Sequence, residues 1–356
     1  MKILLTGATG FIGSRLLQRL EEMGHEVISL ARYVSGGRFD FYAKHRIAFA
    51  DLRDGEAVRK AVQTVKPDVI IHLGATTAVS FSFLNPADVL HVNAVGTVHL
   101  AEAAREFGVE QMIHASTSEF YGIQKEFPIK EDAIPNATSP YAVSKIAAEN
   151  YLWLIHKLYD FPITIMRPFN TFGRGLPTIK NRHYVVERAI TGALENGVIN
   201  LHNPKPVREF IFREDHVNGY LAALGNKKAI GEAFNICYGV GYTIEEMANK
   251  VAEIVERKTN KSVKVEFIRE PDRPLDIPEL WGDPTKAKQI LEWKPKYSIL
   301  EHGLEKAINE WAWTLGLSMA KCPKCGSKEI KIHRVGESMR DYIETYECKK
   351  CGACWR

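Results

Sequence analysis

Lys2-Ile3-Leu4-Leu5-Thr6-Gly7-Ala8-Thr9-Gly10-Phe11-Ile12-Gly13 opens the chain: a short apolar run, a turn with three glycines, and the start of an amphipathic stretch reaching about Met23. A strand that turns through glycines into a helix lets backbone approach a bound group closely. The helix N-terminus then offers N–H groups to an anion. Gly7, Thr9, Gly10, Phe11, Ile12 and Gly13 are therefore the candidate cradle for a dinucleotide pyrophosphate. Further along, Val27–Leu30, Val69–Leu73, Met112–Ala115 and Ile163–Arg167 have strand character and alternate with helical patterns. Such alternation predicts an α/β fold with a doubly wound parallel sheet, an extended Rossmann arrangement. At the end of the second strand an acidic residue would bind an adenosine 2′-hydroxyl, but the chain has Leu30-Ala31-Arg32. A guanidinium suits a 2′-phosphate, so Arg32 points to NADP, with NAD as the alternative.

The chain has 356 residues and 45% hydrophobic content, enough for a large core and two or three structural units. Its 47 basic and 43 acidic side chains leave only +4, which argues against a protein built around nucleic acid. The first apolar run is broken too early for a signal peptide, and no stretch is long and apolar enough to span a membrane. Five of the six cysteines follow residue 321, a local device and not a secreted framework, so a cytoplasmic location is expected. Alternation becomes irregular near Asn170, and composition shifts to Lys, Cys and Gly after Gly316. The expected units are 1–169, a dinucleotide-binding domain; 170–317, a smaller α/β substrate lobe; and 318–356, a separate tail.

Tyr141-Ala142-Val143-Ser144-Lys145, preceded by Ser139-Pro140, starts a predicted helix. Four-residue spacing puts Tyr141 and Lys145 on one face, where an ammonium would lower the phenol pKa and hold a nicotinamide ribose. Tyr141 is then the candidate general base. The GxxGxxG spacing resembles the short-chain dehydrogenase/reductase superfamily. That resemblance implies that Asp51 and Leu52 contact adenine and that Leu73 and Ala75, in His72-Leu73-Gly74-Ala75, pass beneath the cofactor. Asn93-Ala94-Val95-Gly96-Thr97 matches the family's NxxGT motif, and Pro168 joins the cofactor set. His114-Ala115-Ser116-Thr117-Ser118-Glu119 is similar to the extended members that act on nucleotide sugars, and the triad implied is Thr117, Tyr141 and Lys145.

Thr117-Ser118-Glu119, together with Ala31-Arg32, looks most like GDP-mannose 4,6-dehydratases, which are NADP-dependent lyases. Elimination of water needs a base at C5 and an acid at the 6-hydroxyl, and Glu119 could serve both ends. The 4-epimerases differ at this triplet and form the alternative within the class. Arg167-Pro168-Phe169-Asn170-Thr171-Phe172-Gly173 departs from the dehydratases' Asn-His-Glu run, which leaves the nucleotide base open. The resemblance also implies a substrate set of Ser80, Thr117, Asn170, Arg208 and Arg273, the arginines neutralising a diphosphate. It further implies a homodimer through helices at Val89–Phe107 and Tyr141–Tyr159.

Cys322-Pro323-Lys324-Cys325 and Cys348-Lys349-Lys350-Cys351 are two CxxC knuckles with 22 residues between them. Four thiolates in that pattern resemble a zinc ribbon holding structural zinc across a hairpin. Cys354 is then spare. The resemblance covers about residues 1–315 and is silent on this tail, whose lysines leave room for RNA or a protein partner. A non-catalytic scaffold binding through the ribbon is the rival from another class.

Overall fold

The computed structural model describes residues 1–32, 44–175, 184–268, 275–298 and 300–317, and 330–335, 343–352 and 354–355 of the tail. Seven strands form one parallel sheet: β1 (Lys2–Thr6), β2 (Glu26–Ala31), β3 (Arg46–Phe49), β4 (Val69–His72), β5 (Gln111–Ala115), β6 (Ile163–Pro168) and β7 (Glu232–Ile236). Their order is β7-β6-β5-β4-β1-β2-β3, with Thr6 of β1 registered against both His72 and Leu30. The chain therefore winds outward in both directions from β1 and β4. In such sheets ligands bind at that switch point, beyond the strands' C-terminal ends.

Helices cover both faces, which is why the strands are continuously apolar and do not alternate. Ile3, Leu4, Leu5, Ile70, Ile71, Met112 and Ile113 are fully buried. Helices α2 (Gly55–Val65), α5 (Gly96–Glu106) and α6 (Pro140–Tyr159) pack Val58, Val62, Leu100, Ala104, Leu152 and Ile155 on one face. Between β4 and α5 lie α3 (Val79–Leu84), α4 (Pro86–Leu90) and a π-helical turn, His91–Val95. On the other face α1 (Gly13–Glu22) contributes Leu16, Leu17 and Leu20. Caps begin these helices where the sequence supplies them. Asp54 accepts from Ala57 N at 3.0 Å, and Ser139, ahead of Pro140 at the first helical position, accepts from Ala142 N at 3.1 Å.

The second lobe has its own core, where α7 (Val185–Asn196), α9 (Ile244–Thr259) and α11 (Leu300–Thr314) enclose Phe172, Phe210 and Phe212. A Thr243/Glu246 capping box starts α9. The expected division at 169/170 is interrupted. Helix α8 (Arg213–Ala223) and β7 lie beyond residue 170, yet Val217, Tyr220, Phe234 and Ile236 join the core against α1, as does Leu291 just after α10 (Thr285–Ile290). The strand Phe210–Phe212 runs straight into α8, which begins at Arg213.

In the tail, Ile330–Val335, Ile343–Cys348 and Cys354–Trp355 form a three-stranded antiparallel sheet. Cys348 ends the middle strand and Cys351 follows it, while Cys322 and Cys325 lie outside the described residues. Among the described residues no group of three or more metal-binding side chains assembles, and no helix is long and apolar enough to cross a membrane.

Candidate active site

The glycine turn sits at the switch point and is sterically closed to other residues. Gly7 has φ +71°, and a Cβ there would lie 2.8 Å from the Leu73 carbonyl carbon; a Cβ on Gly13 would meet Gly7 O at 2.1 Å. Gly10 N donates to Gly7 O at 2.9 Å, and α1 begins after Ile12 with no side-chain cap. Ser14 N, Arg15 N and Leu16 N bond back to the Gly10 and Ile12 carbonyls at 2.9–3.1 Å, so what the helix end offers an anion is its positive dipole and the compressed glycine turn ahead of it, which suits a pyrophosphate. Thr6 fastens this turn to the β4 loop: its Oγ1 accepts from Gly74 N at 2.8 Å and pairs with His72 Nδ1 at 2.7 Å. Leu73 and Ala75 belong to that loop. Arg32, just after β2, is exposed; Asp51 is held below the ordinary carboxylate range mainly by hydrogen bonding to Arg53, with the charge of Arg32 a smaller contribution. Leu52 packs beside Gly74 and Gly96.

A buried polar chain joins the cofactor side to the candidate catalytic helix. His72 Nε2 meets Thr97 Oγ1 at 3.0 Å, and Thr97 Oγ1 donates to Asn93 O at 2.6 Å. Asn93 Oδ1 accepts from Thr76 N at 2.8 Å, while its Nδ2 donates to Ser144 Oγ at 2.9 Å. Ser144 sits between Tyr141 and Lys145. Tyr141 and Thr117 are hydrogen-bonded through their side chains, and the charge of Glu119 bears on the same phenol. Lys145 Nζ donates to Ala115 O at 2.7 Å.

The expected lowering of the Tyr141 phenol pKa by Lys145 is not what this arrangement gives. Burial pushes the phenol up, the Thr117 hydrogen bond opposing it only in part, and burial pulls Lys145 down to about 8. Desolvation disfavours both charged forms and outweighs the pairing the spacing implied. What partly opposes the fall of Lys145 is Glu149, one turn further along α6. Glu149 is fully buried and holds Arg167 of β6 through two bonds, 2.6 and 3.1 Å, while also accepting from Ser116. Arg167 donates onward to Tyr121 Oη at 3.0 Å. The sequence reading missed Glu149, although Tyr141, Lys145 and Glu149 share one four-residue period.

On the side expected to take substrate, Glu119, Ser139, Val79, Phe83, Leu275 and Asp276 line a cleft beside the candidate catalytic residues. Ser80 follows Val79 on α3 and is exposed. Asn170 begins the strand Asn170–Phe172, directly after Pro168 and Phe169. Arg208, 3.6 Å from Asp276, lies in the strand Val207–Arg208, between Tyr242–Thr243 and Glu279–Leu280. Arg273 is outside the described residues. Tyr184, also missed, stands at the N-cap position of α7 without a side-chain capping bond, hydrogen-bonds Thr77 and influences Tyr141.

Comparison with known proteins matches residues 4–306 to the family model for GDP-mannose 4,6 dehydratase. A UDP-glucose 4-epimerase of Mycolicibacterium smegmatis is 32% identical over 322 residues, covering 86% of this chain and 97% of that protein. The human dTDP-D-glucose 4,6-dehydratase is 29% identical, with 87% and 89% covered. Among solved structures, the Thermus thermophilus UDP-glucose 4-epimerase in complex with NAD superimposes with a TM-score of 0.76 at 29% identity, over 87% of this chain and 99% of that one. A glycine-lined dinucleotide cradle, a Thr117–Tyr141 pair with Lys145 beside it, and a match spanning nearly the whole of both lobes lead to one conclusion: this chain belongs to the GDP-mannose 4,6 dehydratase family and is an enzyme of the nicotinamide-dependent nucleotide-sugar epimerase and dehydratase class.

Proposed function

We propose that the enzyme is a nucleotide-sugar 4,6-dehydratase, converting GDP-mannose or a similar nucleotide hexose to its 4-keto-6-deoxy form. The observation that carries this reading is Glu119, a carboxylate that lines the substrate cleft and acts electrostatically on Tyr141. The Gly7–Gly13 turn, Asp51, Leu52, Leu73, Ala75, Asn93, Lys145 and Pro168 would hold the cofactor, which when bound would supply reversible hydride transfer at C4 and C6. Tyr141 takes the 4-hydroxyl proton while Thr117 holds that oxygen. The resulting 4-ketone acidifies C5–H. Glu119 removes the C5 proton and delivers it to the 6-hydroxyl, which leaves as water; as C6 is reduced, C5 takes up the proton that Tyr141 had drawn from the 4-hydroxyl. Asn170, Arg208 and Arg273 hold the diphosphate, with Ser80 and Thr117 at the sugar.

The test is incubation of the purified enzyme with GDP-mannose, dTDP-glucose, UDP-glucose and UDP-N-acetylglucosamine, with mass detection of products. Loss of one water from a substrate is expected, and Glu119→Gln should slow that loss by roughly 10²–10⁴-fold. The Mycolicibacterium relative favours a second reading, 4-epimerisation. An isobaric product with inverted C4, formed equally well by Glu119→Gln, would establish it and remove Glu119 from the chemistry.

For the cofactor we propose NADP, supported by Arg32 at the end of β2, where no carboxylate stands. Titration of the apo-enzyme should give tighter binding of NADP than of NAD; the reverse order sinks the assignment. We also propose structural zinc on Cys322, Cys325, Cys348 and Cys351, supported by a knuckle placed at the end of an antiparallel strand. Elemental analysis of full-length protein should find about one zinc per chain, and a metal-free preparation that keeps its fold would refute it.

A further inference from the structure

Glu209, immediately after the expected phosphate ligand Arg208, is fully buried and plays no part in the chemistry above. Its carboxylate gathers backbone N–H groups from two separate turns. Oε1 accepts from Tyr238 N and from Gly239 N, the latter at 2.8 Å, in the turn after β7; Oε2 accepts from Gly282 N at 2.9 Å. Its own N–H donates to Leu280 O at 3.1 Å, continuing the pairing of Val207–Arg208 with Glu279–Leu280. One side chain thus ties the turn after β7 and the turn after Glu279–Leu280 to the strand that carries Arg208.

Its reach extends to the other expected phosphate ligand. Gly282, held by Oε2, lies flat against Phe169: a Cβ there would come within 2.4 Å of the Phe169 ring and 3.2 Å of Cys237 Sγ. Phe169 precedes Asn170, and its N–H is bound by Ile236 O at 3.1 Å. The Arg208 strand and the Asn170 strand belong to different small sheets. They meet at this carboxylate and the glycine it holds.

We propose that Glu209 is a positioning residue for nucleotide-sugar binding, holding Arg208 and Asn170 in register so that both engage the substrate diphosphate. This rests on the assignment of Arg208 to the diphosphate. An ionised carboxylate accepts on both oxygens, whereas an amide presents a donor on one side, so Glu209→Gln sets an N–H against an N–H and releases one turn. Gly282→Ala disturbs the same junction from the Phe169 side and serves if Glu209→Gln does not fold.

The measurement is binding of UDP and GDP, alongside cofactor affinity and turnover, in full-length Glu209→Gln, Gly282→Ala, Arg208→Ala and Arg208→Ala/Glu209→Gln. Nucleoside-diphosphate affinity and KM should worsen about tenfold in Glu209→Gln and Gly282→Ala, with kcat and cofactor affinity kept within about twofold. The double variant should lose less than the sum of the two single losses, because a displaced arginine and an absent one are equivalent and only the Asn170 contact remains to be weakened. Additive losses, or equal losses of cofactor and nucleotide affinity in whichever variant folds, overturn the proposal. If Arg208→Ala alone leaves UDP and GDP affinity unchanged, the diphosphate assignment is what has failed.

Discussion

At the scale of single residues, burial decides the titration behaviour. Lys145 falls to about 8 because its ammonium is desolvated, Glu149 offsetting this only in part. If the ammonium is the working form, kcat/KM should fall about tenfold per pH unit above about 8, in a profile of the free enzyme. Stability should move oppositely. The folded pKa lies below the ordinary 10.5, so the unfolded chain binds more protons between the two values and this group's contribution to stability rises with pH there. A rate profile flat to pH 9.5 would show that the charge on Lys145 is not needed. Glu149 and Arg167, 0% and 4% exposed, make the most deeply buried ion pair near the site. Glu149→Ala leaves a guanidinium uncompensated and should cost about 3–5 kcal/mol, measured by denaturant unfolding.

At the scale of elements, the glycine turn and the helix after it act as one unit. Gly13→Ala would drive a methyl into Gly7 O, and because a Cβ is fixed by its own backbone and Gly7 O is itself a backbone atom, no rotamer relieves it. The turn must open, and α1's N-terminus moves off the anion site. We expect cofactor affinity to fall by more than tenfold by titration, with secondary structure retained in circular dichroism. Unchanged affinity would mean that the turn does not bind the pyrophosphate. Helix α6 is the second such unit. Its Ser139 cap and Pro140 start it just ahead of Tyr141, so the cap also sets where the phenol stands.

At the scale of the molecule, the lobes are joined by α8, which follows the second lobe's Phe210–Phe212 strand but packs on α1. Arg15 of α1 holds Glu214 of α8 through bonds of 2.5 and 2.7 Å across 199 residues of sequence. The outer face of α6 carries Val143, Leu154 and Leu158, 46–60% exposed, and Val95 beside α5 is 41% exposed. We propose that a second copy of the chain covers this stripe. Sedimentation should show a dimer, and Leu154→Glu with Leu158→Glu should yield a folded monomer; a monomeric native protein would dismiss the idea.

The sequence alone determined what depends on neighbours along the chain. The glycine turn, the Tyr141–Lys145 spacing, the Ser139 cap and the continuous apolar strands are legible because backbone sterics and helix periodicity act over a few residues. Tertiary structure decided what depends on desolvation and on distant segments. It placed β7 in the first sheet, reversed the expected shift of the Tyr141 phenol, and brought Arg167 to Glu149 and two remote turns to Glu209. Those outcomes follow from burial and from backbone N–H groups needing acceptors, and neither can be read from spacing.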